Sequence, residues 1–175
     1  FDAFGKFQVG CRGVWLNCER STFSRACQGN HGDGENAAIR MQEQDGRIPD
    51  ADISNCLFVN CGGEYAKKAY YGGVNNHNAG VVNVNHCTFD LCCSGVTLND
   101  PKAQSVLNVS NCIFSRIGYN QAPAVDVAGS YPAIEEPYIL WFSEKFDADA
   151  KISAVFNKFR DNPNGEFNVN NCIVF

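Results

Sequence analysis

Four segments of the chain share one pattern of apolar and polar positions. They align without gaps at residues 51–58, 82–89, 107–114 and 167–174. The first and third positions of each segment are apolar and the second and fourth are polar, which is the period of a strand with one buried face. The fifth position breaks the alternation, and the sixth is cysteine in every copy. The pattern predicts two short strands joined by a corner.

The residue that breaks the alternation is polar in all four copies: Asn55, His86, Asn111 and Asn171. Asparagine tolerates the left-handed backbone conformation that such corners use. After the corner, the cysteine and the residue two positions later are predicted to point inward again. Stacked on successive coils, these side chains form the predicted interior ladders, which comprise Cys56, Cys87, Cys112 and Cys172 together with Phe58, Phe89 and Phe114.

A second, shorter pattern lies between these copies, at residues 13–16, 38–41, 95–98 and 124–127. Each of these segments reads small, apolar, variable, apolar. Interleaving the two patterns gives three short strands per coil of an all-β parallel β-helix. The cysteines at the corner recur at intervals of 31, 25 and 60 residues, which fits coils with loops of unequal length. We interpret residues 1–175 as one domain, or part of a longer one, with a long insertion at about 129–165.

An antiparallel β-sandwich is the alternative fold, because it also contains short alternating strands. It does not explain why the Asn-Cys-x-Phe sequence recurs in register. It also predicts a series of Asn-Gly hairpin signals between paired strands, and this sequence does not show such a series.

Coils of this kind, with asparagine at a corner before Cys-x-Phe, resemble the pectin-lyase-like family. That family comprises right-handed parallel β-helices of secreted polysaccharide lyases, bacterial surface proteins and phage tailspikes. The resemblance covers residues 10–128 and 165–175. It implies a right-handed parallel β-helix and a secreted or cell-surface location. Because many functions share this scaffold, it implies no single activity.

Composition excludes several classes of partner. The formal net charge is -5 with a pI of about 5.1, and no basic run provides the electrostatic footprint that nucleic acid binding needs. No apolar stretch approaches the ~20 residues of a membrane span. The sequence has no CxxC pair, and His31, His77 and His86 lie on separate segments. We therefore expect no metal site and no cofactor.

The ten cysteines fall into two groups. Those of the predicted ladder should be buried, reduced and stacked, because parallel Cβ directions give poor disulfide geometry. The others are predicted to lie nearer corners, where a bridge is more plausible: Cys11, Cys18, Cys27, Cys61, Cys92 and Cys93. The best pairing among these is Cys61 with Cys92.

A binding surface is predicted on the outer face of the short strands. Their outward residues are Trp15, Arg40, Thr97 and Asp126, and a long insertion at residues 62–80 brings further basic and aromatic residues beside them. Aromatic faces beside Arg and Lys suit a neutral or acidic polysaccharide. The alternative is an ordinary solvated exterior. The predicted carbohydrate-binding residues are Trp15, Arg40, Asp126, Lys67, Tyr70 and Tyr71.

No catalytic set can be assembled from the sequence. A lyase needs a base and a carboxylate neutraliser, and a glycosidase needs a close pair of Asp or Glu. The acidic residues here are dispersed, and residues 30–33 are only faintly similar to the Gly-His-Gly of polygalacturonases. We therefore predict a structural or carbohydrate-binding module of a larger protein or assembly. The alternative function is a polysaccharide lyase or glycoside hydrolase acting on an acidic glycan.

Two further expectations concern a glycosylation sequon and the two ends of the chain. The sequon Asn108-Val109-Ser110 lies inside a repeat strand, so we interpret Asn108 as a coil residue rather than a glycan acceptor. Apolar residues close to both termini, such as Phe4 and Phe175, predict further coils or other subunits at the open ends of the solenoid.

Overall fold

A computed structural model describes residues 7–26, 37–62, 72–92, 94–99, 104–116, 138–142 and 166–174. These residues form fifteen β-strands in chain order, five in each of three sheets. The first sheet contains β1 (Phe7–Arg12), β4 (Ala37–Gln42), β7 (Gly72–His77), β10 (Ser94–Asn99) and β13 (Tyr138–Phe142). The second contains β2 (Leu16–Glu19), β5 (Ala51–Ser54), β8 (Val81–Asn85), β11 (Val106–Ser110) and β14 (Glu166–Asn170). The third contains β3 (Thr22–Ser24), β6 (Leu57–Val59), β9 (Thr88–Asp90), β12 (Ile113–Ser115) and β15 (Ile173–Val174).

Each coil contributes one strand to each sheet, and all strand pairs within the sheets are parallel. The four aligned segments pair residue for residue, so Val82 lies beside Ala51 and Leu107 beside Val82. The chain is therefore a right-handed parallel β-helix with three strands per coil, as the sequence predicts. Successive coils stand about 4.8 Å apart, the spacing of hydrogen-bonded strands.

The interior ladders are confirmed. All four ladder cysteines are buried, and so are the phenylalanines that follow them. The rings of Phe58 and Phe89 stack with centroids 4.6 Å apart and planes 5° apart, and Phe114 continues the stack beyond Phe89 at 5.0 Å. The stack has one further member, Phe23, which lies outside the four aligned segments and whose ring lies 5.0 Å from that of Phe58.

The corners adopt the left-handed conformation that the pattern predicts. The backbone φ is 53° at Asn55, 51° at His86, 52° at Asn111 and 51° at Asn171. Arg20 occupies the same corner in the first coil with φ 52°. A second left-handed corner follows each of the first four third-sheet strands, and its residues are Arg25, Asn60, Leu91 and Arg116.

A small residue near the start of the first-sheet strands makes room for the phenylalanine stack. A Cβ atom added to Gly73 would lie 2.5 Å from Cε1 of Phe89. Ala38 and Gly95 occupy the equivalent position in the neighbouring coils, and both are buried. The first position of the short pattern is therefore small because a larger side chain there would collide with the phenylalanine stack.

Three predictions about the first sheet are wrong. Residues 13–16 do not form its first strand, because β1 ends at Arg12 and Leu16 already begins β2. The sheet also contains β7, which lies inside the predicted insertion at 62–80. The strand beside β10 is β13, which lies within the predicted insertion at 129–165. Residues 124–127 themselves lie outside the described residues.

The described cysteines are free thiols, so the predicted bridge between Cys61 and Cys92 is not formed. Each of these two thiols instead donates to backbone carbonyls, with Cys61 Sγ 3.6 Å from Val59 O and Cys92 Sγ 3.6 Å from Phe58 O. Cys18 was predicted near a corner, but it lies within β2. Cys27 and Cys93 lie outside the described residues.

Candidate functional site

The outer face of the first sheet carries a row of polar residues at one register position. Gly10 pairs with Arg40, Arg40 with Asn75, and Asn75 with Thr97. In each strand the flanking residues point inward, as shown by the buried Ile39 and Met41 on either side of Arg40. Alternation along a strand therefore places this row on the outside of the coil.

A second outward row runs beside the first, two residues further along each strand. Arg12 pairs with Gln42, and Gln42 with His77. The two rows together bring Arg12, Arg40, Gln42, Asn75 and His77 onto neighbouring strands of one face. We call this set the first-sheet face.

Polar atoms without partners are concentrated on the first-sheet face. Asn75 is 0% exposed, and neither Oδ1 nor Nδ2 of its amide has a hydrogen-bond partner in the described part of the chain. The buried Oε1 of Gln42 also lacks one among the described residues. Leaving such a group unpaired costs about 1–3 kcal/mol, so each one calls for a physical explanation. A polar ligand can reach Gln42, which is only partly buried, and it would satisfy the fully buried Asn75 only after the groups that cover this side chain move aside.

The outer face of the second sheet shows the opposite situation, because its amides satisfy one another. Asn168 donates to Asn108 at 2.9 Å, Asn108 donates to Asn83 at 2.8 Å, and Asn83 donates to Asp52 at 2.8 Å. Asn108 is thus a coil residue within this asparagine ladder, as predicted. A face with its hydrogen bonds already made offers a ligand less than a face with orphaned amides.

The charge of the first-sheet face favours an anionic or neutral ligand. Arg12 and Arg40 lie on it, and the five first-sheet strands contain no Asp or Glu. A guanidinium group binds a carboxylate through two parallel hydrogen bonds. Arg40 is only partly buried, so a ligand can reach it from solvent.

The structure brings together only some of the residues that were predicted to form a carbohydrate-binding strip along the short strands. Arg40 lies in β4 on the first-sheet face, and Thr97 is two strands away but buried, with its hydroxyl donating to Val74 O at 3.3 Å. Trp15 is not in the strip, because Gly10 rather than Trp15 is the register partner of Arg40. The remaining predicted residues, Lys67, Tyr70, Tyr71 and Asp126, lie outside the described residues.

Trp15 instead lies at the corner between the first and second sheets. It is 62% exposed, and the exposed apolar residues Val14 and Ile48 lie at the same corner of the first two coils. The backbone bond from Leu16 N to Asp50 O, 3.0 Å long, holds the two corners side by side. Trp15 therefore provides an exposed aromatic surface three residues beyond Arg12, at the margin of the first-sheet face.

Sequence reasoning missed Asn75, Gln42 and His77. The second half of β7, Asn75 to His77, is polar and is typical of a loop, so the sequence predicts an insertion there. The first half of β7 carries a usable signal, since Gly72, Gly73 and Val74 match Ala37, Ala38 and Ile39 of β4 in size and polarity.

The buried thiols of Cys87 and Cys112 do not form a reactive or metal-binding centre. The pKa values of Cys87 and Cys112 are raised to about 12, first by hydrogen bonding to the cysteine of the next coil and then by burial. Both thiols are therefore neutral near pH 7, whereas a metal ligand must be the thiolate. Among the described residues no group of three or more His, Cys, Asp or Glu side chains could hold a metal ion.

No protein family, curated protein or solved structure matches this chain. The resemblance to the pectin-lyase-like family therefore stays a prediction. None of the described residues belongs to a helix long and apolar enough to cross a membrane.

Proposed function

We propose that this chain is a carbohydrate-binding β-helical module and that a polysaccharide binds along its first-sheet face. The observation that carries the proposal is the amide of Asn75, which is fully buried and unpaired within the described part of the chain. Arg40 lies beside it on the neighbouring strand.

A polysaccharide fits this face better than a compact ligand does. The polar residues recur on successive strands, about 4.8 Å apart along the helix axis, so an extended chain with repeated hydroxyl and carboxylate groups can follow them. Sugar hydroxyls both donate and accept, as an amide requires from its partner. Arg40 adds a preference for uronate over neutral sugars.

The exposed ring of Trp15 supports the same proposal. A sugar ring presents C–H groups that pack on the face of an aromatic side chain, and tryptophan offers the largest such face. A polysaccharide that leaves the first-sheet face toward the second sheet would meet this ring. Because such polymers lie outside cells, the proposal places the module in a secreted or cell-surface protein.

The proposal is binding rather than cleavage. Hydrolysis of a glycosidic bond uses a pair of carboxyl groups on either side of that bond. The strands of the first-sheet face contain no Asp or Glu. Among the described residues, Glu43 and Asp45 follow directly after β4, and Asp50 and Asp52 are engaged elsewhere, with Val81 N at 2.7 Å and with Asn83 Nδ2.

Titration calorimetry of the full chain tests the proposal. An acidic polysaccharide such as polygalacturonate should bind, and a neutral one such as dextran should bind more weakly. Arg40→Ala and Asn75→Ala should each weaken binding by about tenfold, which corresponds to about 1.4 kcal/mol. The control is Asn17→Ala, an exposed asparagine of the second sheet, which should bind like the unmodified chain.

The stability of the same variants separates a binding role from a structural one. Asn75→Ala removes an unpaired buried amide, so it should leave the urea midpoint unchanged or raise it while binding falls. If Asn75→Ala destabilises the fold and leaves affinity intact, Asn75 is a structural residue and the proposed site is wrong. If no polysaccharide of either class binds the unmodified chain, the proposed function fails.

A further inference from the structure

The first coil departs from the repeat at two neighbouring positions. Where the other coils have a branched aliphatic residue in the middle of the second-sheet strand, as at Ile53 and Val84, the first coil has Cys18. Where those coils have the ladder cysteine after the corner, the first coil has Ser21. The first coil therefore carries its thiol at residue 18, three positions before residue 21, which is the position that corresponds to the ladder cysteine.

This displacement brings two thiols together across adjacent coils. Cys18 Sγ lies 3.9 Å from Cys56 Sγ, although the two residues are 38 positions apart in sequence. The Cys56 thiol also lies 3.7 Å from Cys18 O. Cys56 is 3% exposed, whereas Cys18 is only partly buried. A reagent dissolved in the solvent can therefore reach Cys18, which lies beside the first cysteine of the interior ladder.

We propose that Cys18 and Cys56 form a reversible disulfide that crosslinks the first coil to the second. The two sulfur atoms need to close from 3.9 Å to about 2.05 Å, a movement that side-chain rotation and small shifts of the corner can supply. The coils are already aligned by the pairing of β2 with β5, so the disulfide joins β2 to the corner that follows β5.

A peroxide is the oxidant that balances the reaction. The thiolate of Cys18 attacks one peroxide oxygen, the O–O bond breaks, and Cys18 becomes a sulfenic acid with release of hydroxide. The sulfur of Cys56 then attacks the sulfenic sulfur, forming the S–S bond and expelling hydroxide. The protons lost by the two thiols convert both hydroxides into water. In sum, two thiols are oxidised to a disulfide and one peroxide is reduced to two waters.

The environment of Cys18 sets the pH dependence of this reaction. Burial, followed by the charge of Cys56, raises the pKa of Cys18 to about 11. The thiolate is the reactive form, so it is scarce at neutral pH. The oxidation rate should rise about tenfold for each pH unit between pH 7 and pH 10, since the thiolate fraction does so below the pKa.

Other pairings are less favourable on geometric grounds. Cys87 and Cys112 are each only 1% exposed, so a peroxide cannot reach them in the folded chain. Cys11 is the competitor, because it lies near enough for charge on Cys18 to affect its pKa. Cys11 belongs to the first sheet, however, whereas Cys18 belongs to the second.

Peptide mass mapping of the full, reduced chain after exposure to hydrogen peroxide tests the proposal. Free thiols are alkylated before digestion, and we expect a crosslinked peptide that contains Cys18 and Cys56, with a yield that increases from pH 7 to pH 9. The melting temperature should rise on oxidation and return after dithiothreitol, because the crosslink restricts the unfolded chain.

Two variants serve as controls. Cys18→Val introduces the residue found at Val84 and Val109, so it should fold normally while losing both the crosslink and the rise in melting temperature. Cys11→Ser should retain both. A Cys11–Cys18 peptide, or oxidation of Cys18 to sulfinic acid while Cys56 stays alkylatable, would overturn the proposal.

Discussion

The cysteine after each corner has a specific hydrogen-bonding role. Each ladder thiol donates to the carbonyl two residues earlier, with distances of 3.2 Å for Cys56 to Ser54 O and 3.1 Å for Cys112 to Ser110 O. Ser21 makes the same bond in the first coil through its hydroxyl, 3.1 Å from Glu19 O. The position therefore requires a small side chain that can donate locally and otherwise pack as an apolar group.

The phenylalanine stack should dominate the stability of individual coils. Phe89→Ala removes a fully buried ring that stacks on rings at both sides, and we expect a loss of about 3–5 kcal/mol in the free energy of unfolding. Thr88→Ala, one residue earlier on the outward side of β9, should change it by less than about 0.5 kcal/mol. Urea titration of both variants measures the difference. Equal losses would mean that the inward and outward faces of β9 are assigned wrongly.

The second-sheet and third-sheet strands could be predicted from the sequence because one pattern of apolar, polar and cysteine positions recurs in four aligned segments. The Asn-Cys-x-Phe pattern identifies eight of the ten strands in these two sheets. It misses β2 and β3 because the first coil replaces the corner pair by Arg20 and Ser21. Those substitutions preserve the left-handed turn and the local hydrogen bond, so the structure is retained where the sequence signal is lost.

The first sheet was harder to predict, and the candidate site lies there. Its strands share only a spacing of small and apolar residues, a pattern short enough to recur by chance at residues 13–16. Asn76 occupies an inward position in β7, where it bonds to Ala79 N at 2.9 Å and to Gly80 O at 3.3 Å. A buried amide that is satisfied by a turn looks in sequence like a loop residue. The sequence pattern therefore identifies Arg40 as a candidate site residue but does not identify Asn75.

The corner conformation predicts which substitutions a coil tolerates. Asn55 has φ 53°, and its side chain is exposed. Asn55→Ala should lower the free energy of unfolding by about 1 kcal/mol, because a left-handed residue with a Cβ atom costs about 1–2 kcal/mol. Asn55→Gly should cost less, since glycine adopts this conformation freely.

The matched control for this corner is Asn17→Ala, in the extended strand β2, which should change stability by less than about 0.5 kcal/mol. Thermal and urea unfolding of the three variants provide the comparison. If alanine is tolerated equally at Asn55 and Asn17, the left-handed corner contributes nothing to the preference for asparagine.

The three outer surfaces of the whole molecule differ in chemistry. The first-sheet face carries unpaired amides and two arginines, and the second carries the self-satisfied asparagine ladder. The third presents a row in which threonine alternates with partly exposed aliphatic residues, including Leu57, Thr88 and Ile113. Among the described residues, only the first-sheet face combines unmet hydrogen-bonding capacity with positive charge, and this difference is the basis for placing the ligand there.

Nuclear magnetic resonance of the uniformly ¹⁵N-labelled chain, titrated with an acidic oligosaccharide such as an oligogalacturonate, tests that placement most directly. We predict shifts of the backbone amides of β4, β7 and β10 and of the side-chain amide of Asn75. The side-chain amides of Asn83 and Asn108, in the second-sheet ladder, should stay in place and serve as internal controls. Shifts confined to the second or third sheet, or no shifts at saturating ligand, would contradict the account.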